Sequence, residues 1–206
     1  MAWYAQRGED VMLSRLIGET KHNGLIIDVG AYDPIVDSVT AHFYLEKQFR
    51  CINIEPIPAL FSLFPEARPR DINLRCGVSD REGFQVITEI VDTGLSTFHA
   101  INAIAAISRG HKANRIMCKL RTLSDICNEH VPLGQHIDAL KIDVEGYEAE
   151  VIRGANWRLY RPQFVVVEAT RPCTEIPNYD EWEPDLLAAR YRFIHDDSLN
   201  RWYEAL

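Results

Sequence analysis

The chain has no Gly-x-Gly-x-x-Gly run in its 206 residues, so the glycine-lined turn that cradles a dinucleotide pyrophosphate is missing. It has no Cys-x-x-Cys pair either. The five cysteines, Cys51, Cys76, Cys118, Cys127 and Cys173, are odd in number and scattered, which excludes a zinc spacing or a redox motif and fits buried thiols in a reducing compartment. No apolar stretch approaches the roughly 18 residues that span a bilayer. The opening residues, with Glu9 and Asp10 close behind, lack the layout of a secretory signal, and the expected location is cytoplasmic. Positive charge is scarce, with 22 Lys and Arg against 30 Asp and Glu, and the formal charge of -8 argues against a broad grip on nucleic acid. Internal repeats and low-complexity segments are also absent.

What the chain does have is enough apolar content, 47% of its residues, to bury one core, and residues 1–206 read as a single domain. Apolar runs alternate with helical patterns, the mark of an α/β sheet. The pattern predicts a helix over 9–17, with Val11, Leu13, Leu16 and Ile17 on its apolar side, and a strand over 25–29. A helix from a cap at Asp37 or Ser38 to about 48, a strand over 51–54, a helix over 57–64 and a strand over 73–76 follow. Strands are expected over 84–90 and 115–120, with a polar, alanine-containing stretch between them. A helix over 124–129, a strand over 137–142, a helix over 147–153 stopped by Gly154, a strand over 164–167, a helix over 182–189 and short strands over 192–194 and 202–204 complete the reading.

The stretch Ile26-Ile27-Asp28-Val29-Gly30-Ala31-Tyr32-Asp33-Pro34 carries the most information, because a buried-strand run ends there in an acid and one glycine. That places a small-molecule cofactor at the end of a parallel strand. With Asp28 and Asp33 beside Gly30, the loop repels an anion and suits a ligand carrying positive charge, such as the sulfonium and ammonium of S-adenosylmethionine. Acids also close later strands or their turns: Glu55, Asp80, Asp143 and Glu168. In a parallel sheet these ends open on one edge, so the carboxylates are expected to converge on one crevice, although any one of them serves equally well as a cap for the next helix. Glu55, stiffened from behind by Pro56, stands where an acid meets the two hydroxyls of a ribose.

Taken in order, Gln6-Arg7-Gly8-Glu9-Asp10, Asp28-Val29-Gly30-Ala31, Asp33-Pro34, Ser38-Val39-Thr40, Ile54-Glu55-Pro56, Lys141-Ile142-Asp143-Val144-Glu145-Gly146-Tyr147-Glu148 and Asn200-Arg201-Trp202-Tyr203 resemble the FkbM-type methyltransferases over nearly the whole chain. The resemblance implies a class I, Rossmann-like methyltransferase fold with a mostly parallel seven-stranded sheet flanked by helices. It also implies S-adenosylmethionine as cofactor and O-methylation of a hydroxyl on a sugar, glycan or glycoside. Carried onto this chain, it puts Asp28, Gly30 and Ala31 under the methionine end, Glu55 on the ribose and Ser79-Asp80 beside the adenine. Ser38 and Thr40 serve either as helix caps or as donors to the methionine carboxylate. Residues 1–20 are a candidate lid helix, with Gln6, Glu9 and Asp10 over the pocket.

Methyl transfer is an in-line displacement that depends on positioning and is helped when the acceptor hydroxyl loses its proton. Asp143 and Glu145 are the candidate bases, with His195, followed by two aspartates, as the alternative and Glu168 as a further acid at the site. A divalent metal such as magnesium is not expected from the resemblance; were one present, Asp143 and Glu168 are the carboxylates placed to hold it. Two other classes of function share parts of this pattern. A nicotinamide-dependent oxidoreductase would use the same strand-end glycine and Glu55, and a non-catalytic Rossmann-like module would keep the fold as a binding surface.

Overall fold

The computed structural model describes residues 2–172, 174 and 176–206, which leaves Cys173 outside the described residues. Helix α1 (Glu9–Ile17) precedes strand β1 (Leu25–Val29), and α2 (Ala41–Lys47) precedes β2 (Arg50–Ile54). Two single-turn helices, α3 (Pro58–Phe61) and α4 (Phe64–Ala67), lead to β3 (Ile72–Leu74), β4 (Gly77–Ser79) and β5 (Gly83–Ile90). Next come α5 (Ala100–Ser108), β6 (Ala113–Thr122), α6 (Leu123–His130), β7 (Ala139–Ile142) and α7 (Glu148–Arg153). The chain closes with β8 (Phe164–Glu168), α8 (Glu183–Ala188), β9 (Tyr191–Asp196) and β10 (Asn200–Ala205). Among the described residues no helix is long and apolar enough to cross a membrane.

Seven strands form one sheet in the order β3-β2-β1-β7-β8-β10-β9. The pairs β1/β2, β1/β7, β2/β3 and β7/β8 are parallel, whereas β10 runs antiparallel to both β8 and β9. Leu25-Ile26-Ile27-Asp28-Val29 and Phe164-Val165-Val166-Val167-Glu168 are buried along their whole length. That is why they read as continuous apolar runs: parallel strands are covered on both faces. The pleat divides the core. Ile27, Val29, Ile52, Leu140 and Val165 face α6, α7 and α8 through Ile126, Val151 and Leu186. Ile26, Cys51, Ala139 and Val166 face α1 and α2 through Leu13 and Phe43. Each such fully buried aliphatic side chain contributes roughly 1.5–3 kcal/mol. Trp182 and Trp202, both 1% exposed, belong to this core.

Strand β4 departs from the sequence reading. The expected strand over 73–76 ends early, as β3 at Leu74, because the chain leaves the main sheet there, and a further strand forms just after it. Residues Gly77–Ser79 pair instead with Leu120–Thr122 of β6, in a separate sheet of order β4-β6-β5. The Asp80 end of the chain is therefore not one of the main-sheet strand ends. Cys51, Cys76, Cys118 and Cys127 are all buried free thiols, as expected.

One buried charge organises the loop between β1 and α2. Arg68, wholly buried, pairs with Asp71 at 2.7 Å and donates from Nη1 to the Pro34 carbonyl at 3.0 Å and from Nη2 to Thr40 Oγ1 at 3.2 Å. Asp71 accepts in turn from the Cys51 backbone N–H at 2.8 Å and from Asn53 at 3.1 Å. Removing the guanidinium leaves Asp71 buried without its counter-charge. Arg68→Met is expected to lower stability by roughly 3–5 kcal/mol, read from urea unfolding; a loss under about 1 kcal/mol would show that the pair does not clamp this loop.

Candidate active site

The cavity opens at the ends of β1, β2, β7 and β8. Its volume is about 520 Å³, and its walls include Asp28, Val29, Gly30, Ala31, Glu55, Pro56, Lys141, Asp143, Glu145 and Glu168. Topology assembles it: four neighbouring parallel strands end on one edge, so residues far apart in sequence share a rim. Four of the five strand-end acids thus converge as expected. Asp80 does not line the cavity.

Gly30 is where two of these ends meet. Its φ is +82°, and a Cβ there would lie 1.8 Å from the Asp143 carbonyl oxygen. Its amide and that of Ala31 donate to the Ile54 carbonyl at 3.0 and 3.1 Å, while the Asp143 amide donates to the Val29 carbonyl at 3.0 Å. The glycine is thus required by backbone packing between the β1 and β7 turns. Asp33 has a different role from the one its position suggests. It does not line the cavity; its Oδ1 accepts from the Ile35 and Val36 amides at 2.8 and 2.7 Å and sets the turn that follows.

Asp28 is 1% exposed; Thr40 donates weakly to its Oδ2 at 3.4 Å, and its Oδ1 has no hydrogen-bond partner. Burial raises its pKa, against the pull of Lys141 and Arg68. The Lys141 ammonium lies 3.2 Å from Asp143 Oδ2 and 3.7 Å from Asp28 Oδ1. Burial alone would lower the lysine's pKa, but Asp143 and Asp28 more than offset it and hold it above its ordinary value. Glu55 presents Oε2 to the Tyr32 amide at 2.9 Å and Oε1 to the Ile57 amide at 2.8 Å, which fixes its carboxylate against the cavity wall.

Glu145 sits in the left-handed region with φ 56°, a conformation that costs a non-glycine residue of order 1 kcal/mol. Its carbonyl is held there by Thr97 Oγ1 and Asn102 Nδ2, each donating at 2.9 Å. Glu145 and Glu168 are 9% and 8% exposed, and the Oε2 of each is buried without a hydrogen-bond partner. Burial, followed by the charge of Asp143, pushes Glu145 up to about 9 and raises Glu168 as well. Glu148 is a contrast. Its Oε1 accepts from the Val144 and Gly146 amides at 3.2 and 3.0 Å, so it braces the turn and does not line the cavity.

Several expected site residues lie elsewhere. Ser38 and Thr40 are buried behind the wall, where Thr40 Oγ1 links Asp28 to Arg68; neither lines the cavity, and neither caps α2 through its side chain. Ser79 points at Asp80 Oδ1, 3.2 Å away, and at Tyr147 Oη, 3.5 Å away, because β4 belongs to the second sheet. Cys76, Gly77 and Val78 reach the cavity in its place. His195 is exposed on β9 opposite Trp202, outside the cavity. Gln6 does line it, together with Arg7. Glu9 and Asp10 are buried below them and hold the segment through bonds to the Arg7, Tyr4 and Ala5 amides. Thr93, Gly94, Leu95, Ser96 and Phe98 also line the cavity, whereas the neighbouring His99 packs edge-on against Tyr147.

Sequence reasoning missed Lys141, Tyr32 and Thr170 as lining residues. For Lys141 a signal was present: a charge inside an apolar strand needs a partner.

Residues 28–193 match the family described as Methyltransferase FkbM domain. A curated relative, methyltransferase sdnD of Sordaria araneosa, is 27% identical over 215 residues, 82% of this chain and 81% of the relative. Among solved structures, Aeropyrum pernix fibrillarin in complex with natively bound S-adenosyl-L-methionine aligns over 98% of this chain and 74% of its own. The TM-score is 0.51 at 11% identity, a likeness of fold. Precorrin-6y C5,15-methyltransferase from Geobacter metallireducens GS-15 aligns over 98% and 89%, with a TM-score of 0.48 and 13% identity. The fold is thus the class I methyltransferase fold. The family and the curated relative are both methyltransferases, which sets aside the nicotinamide-dependent oxidoreductase.

Burial raises Glu55 from 4.5 to about 7. Between those values the folded chain keeps a proton that the unfolded chain has released, so its contribution is full below pH 4.5, declines with rising pH and levels off above about 7. The decline is on the order of 3 kcal/mol. Glu55→Gln is expected to remove this component from the slope of unfolding free energy against pH, measured in urea for the ligand-free protein. An unchanged slope would mean that Glu55 is solvated.

Proposed function

Because the chain belongs to the FkbM methyltransferase family and is an S-adenosylmethionine-dependent methyltransferase, we propose that its acceptor is a hydroxyl of a sugar, glycan or glycoside. One observation carries this reading: Asp143, Glu145 and Glu168 gather beside Lys141 on one side of the cavity. Carboxylates accept hydrogen bonds from hydroxyls and repel phosphorylated or carboxylated acceptors, so a neutral, hydroxyl-rich molecule suits this wall. Leu95 adds apolar surface to the cavity, and Thr93 and Thr170 add hydroxyls.

The residues fit the cofactor. Asp28 Oδ1, which accepts no hydrogen bond, suits an ammonium group, the Glu55 carboxylate retains lone pairs for ribose hydroxyls, and Cys76, Gly77 and Val78 supply the wall proposed for the adenine. Gln6 and Arg7 are the donors proposed for the methionine carboxylate; among the described residues of 1–20 they alone line the cavity, whereas α1 packs against the sheet through Leu13 and does not form the expected lid. When bound, S-adenosylmethionine supplies an electrophilic methyl group on a sulfonium. The chain orients the acceptor and takes its proton. Asp143, whose Oδ2 is 3.2 Å from Lys141, is the proposed base, because it is the most exposed of the three acids and so the most open to an acceptor. The buried free thiols suit a reducing compartment such as the cytoplasm.

Calorimetry with S-adenosylhomocysteine tests the cofactor assignment, and methyl transfer to a panel of glycosides tests the acceptor class. Asp143→Asn is expected to bind S-adenosylhomocysteine within a few-fold of the parent and to lose roughly 10²–10⁴ in turnover. Turnover at parental levels would remove Asp143 as the base. Transfer to amines alone would overturn the hydroxyl assignment.

A further inference from the structure

The acids at the acceptor side are more numerous than proton removal requires, and their arrangement lacks something to neutralise it. One carboxylate oxygen from each of Asp143, Glu145 and Glu168 lies within 4.8 Å of the other two. Glu145 and Glu168 are both at least nine-tenths buried, and each keeps an Oε2 with no hydrogen-bond partner among the described residues. Lys141 pairs with Asp143 and Asp28, but among the described residues no cationic side chain comes within ion-pair distance of Glu145 or Glu168.

Two ways exist to relieve three carboxylates held this closely: protons or a cation. Protons serve in the ligand-free chain, where burial and the charge of Asp143 raise Glu145 and Glu168. A cation displaces them and offers positive charge to all three carboxylates at once. Hard divalent ions take oxygen ligands at about 2.0–2.6 Å, so ligand oxygens on one ion stand roughly 3 Å apart when adjacent and up to about 5 Å when opposite. The separation of these oxygens falls inside that span.

We infer that Asp143, Glu145 and Glu168 form a site for a hard divalent cation of the magnesium or manganese class. All three ligands are oxygens, the donors that such ions take. The ligands come from two rigid strand ends: Asp143 and Glu145 follow β7, and Glu168 is the last residue of β8. The Thr97 and Asn102 bonds that hold the Glu145 carbonyl position its side chain as the third ligand. The ion's role deepens the methyl-transfer reading and rests on it: a cation here holds the acceptor hydroxyl and lowers its pKa, while the free oxygen of Asp143 accepts the proton. Its binding does not rest on that reading.

Titration of the full chain with manganese, followed by electron paramagnetic resonance at neutral pH, tests the site. Calorimetry with S-adenosylhomocysteine is run on the same samples. The expected result is one manganese per chain with Kd below about 1 mM, displaced by magnesium. Binding should weaken at least tenfold in Glu168→Gln and in Glu145→Gln, and stay unchanged in Glu66→Gln, an exposed acid on α4. Circular dichroism checks folding, and either of the two ligand variants suffices if the other fails to fold. No binding to the parent up to about 10 mM, or equal binding in the parent and both ligand variants, overturns the site. Loss of manganese binding with S-adenosylhomocysteine binding intact removes the cation alone. The reverse pattern supports the cation and counts against the cofactor assignment.

Discussion

The approach of two strand-end turns at Gly30 is the constraint on which the site depends. The Asp143 carbonyl occupies the space that any side chain at position 30 would need, and the positive φ of Gly30 excludes most other residues independently. Because the turns touch there, Asp28 at the end of β1 and Asp143 after β7 are brought to either side of one lysine. Lys141 can then serve both carboxylates, at 3.7 and 3.2 Å. A glycine that reads in the sequence as room for a ligand is, in the fold, room for the neighbouring strand.

Electrostatics then follow from geometry. Parallel strands β1, β2, β7 and β8 deliver Asp28, Glu55, Asp143 and Glu168 to one rim, and the left-handed turn adds Glu145. Against these stand Lys141 and, at the rim, Arg7. The cavity is therefore rich in carboxyl groups in a chain already at -8, which favours cationic ligands and hydroxyl-bearing ones over anions. Raised pKa values at Glu55, Glu145 and Glu168 share one cause, burial first and neighbouring acids second.

Much of this was legible in the sequence, and the reasons are local. Glu9–Ile17 and Leu25–Val29 match the expected ranges because each carries its own periodicity and punctuation. The convergence of the acids was legible because parallel strands share an edge. Segment 73–80 was not, since its break is decided by pairing with Leu120–Thr122, some forty residues away. Arg68 was not legible either. Between Ala67 and Pro69 it reads as a solvated loop charge, and only Asp71, the Pro34 carbonyl and Thr40 make its burial tolerable. Ser38 and Thr40 carried the right chemistry for a ligand but face this arginine network. His195 lies on β9, the edge strand of the main sheet, where most side chains are exposed and away from the cavity.

The buried acids of this chain divide by what satisfies them, with Glu55, which accepts from two backbone amides and also lines the cavity, bridging the two sets. Asp10, Asp71, Asp138 and Glu148 accept from backbone amides or pair with a basic side chain, and each ties a loop or turn in place. Among the described residues, the carboxylate oxygens that are buried without any hydrogen bond are Asp28 Oδ1, Glu145 Oε2 and Glu168 Oε2, and all three residues line one cavity. An unsatisfied buried carboxylate costs stability wherever it occurs, so a fold under selection for stability alone would scatter or eliminate such groups. Their concentration at the Gly30 junction is therefore best explained by what binds there: ligands that bring the missing donors and positive charge.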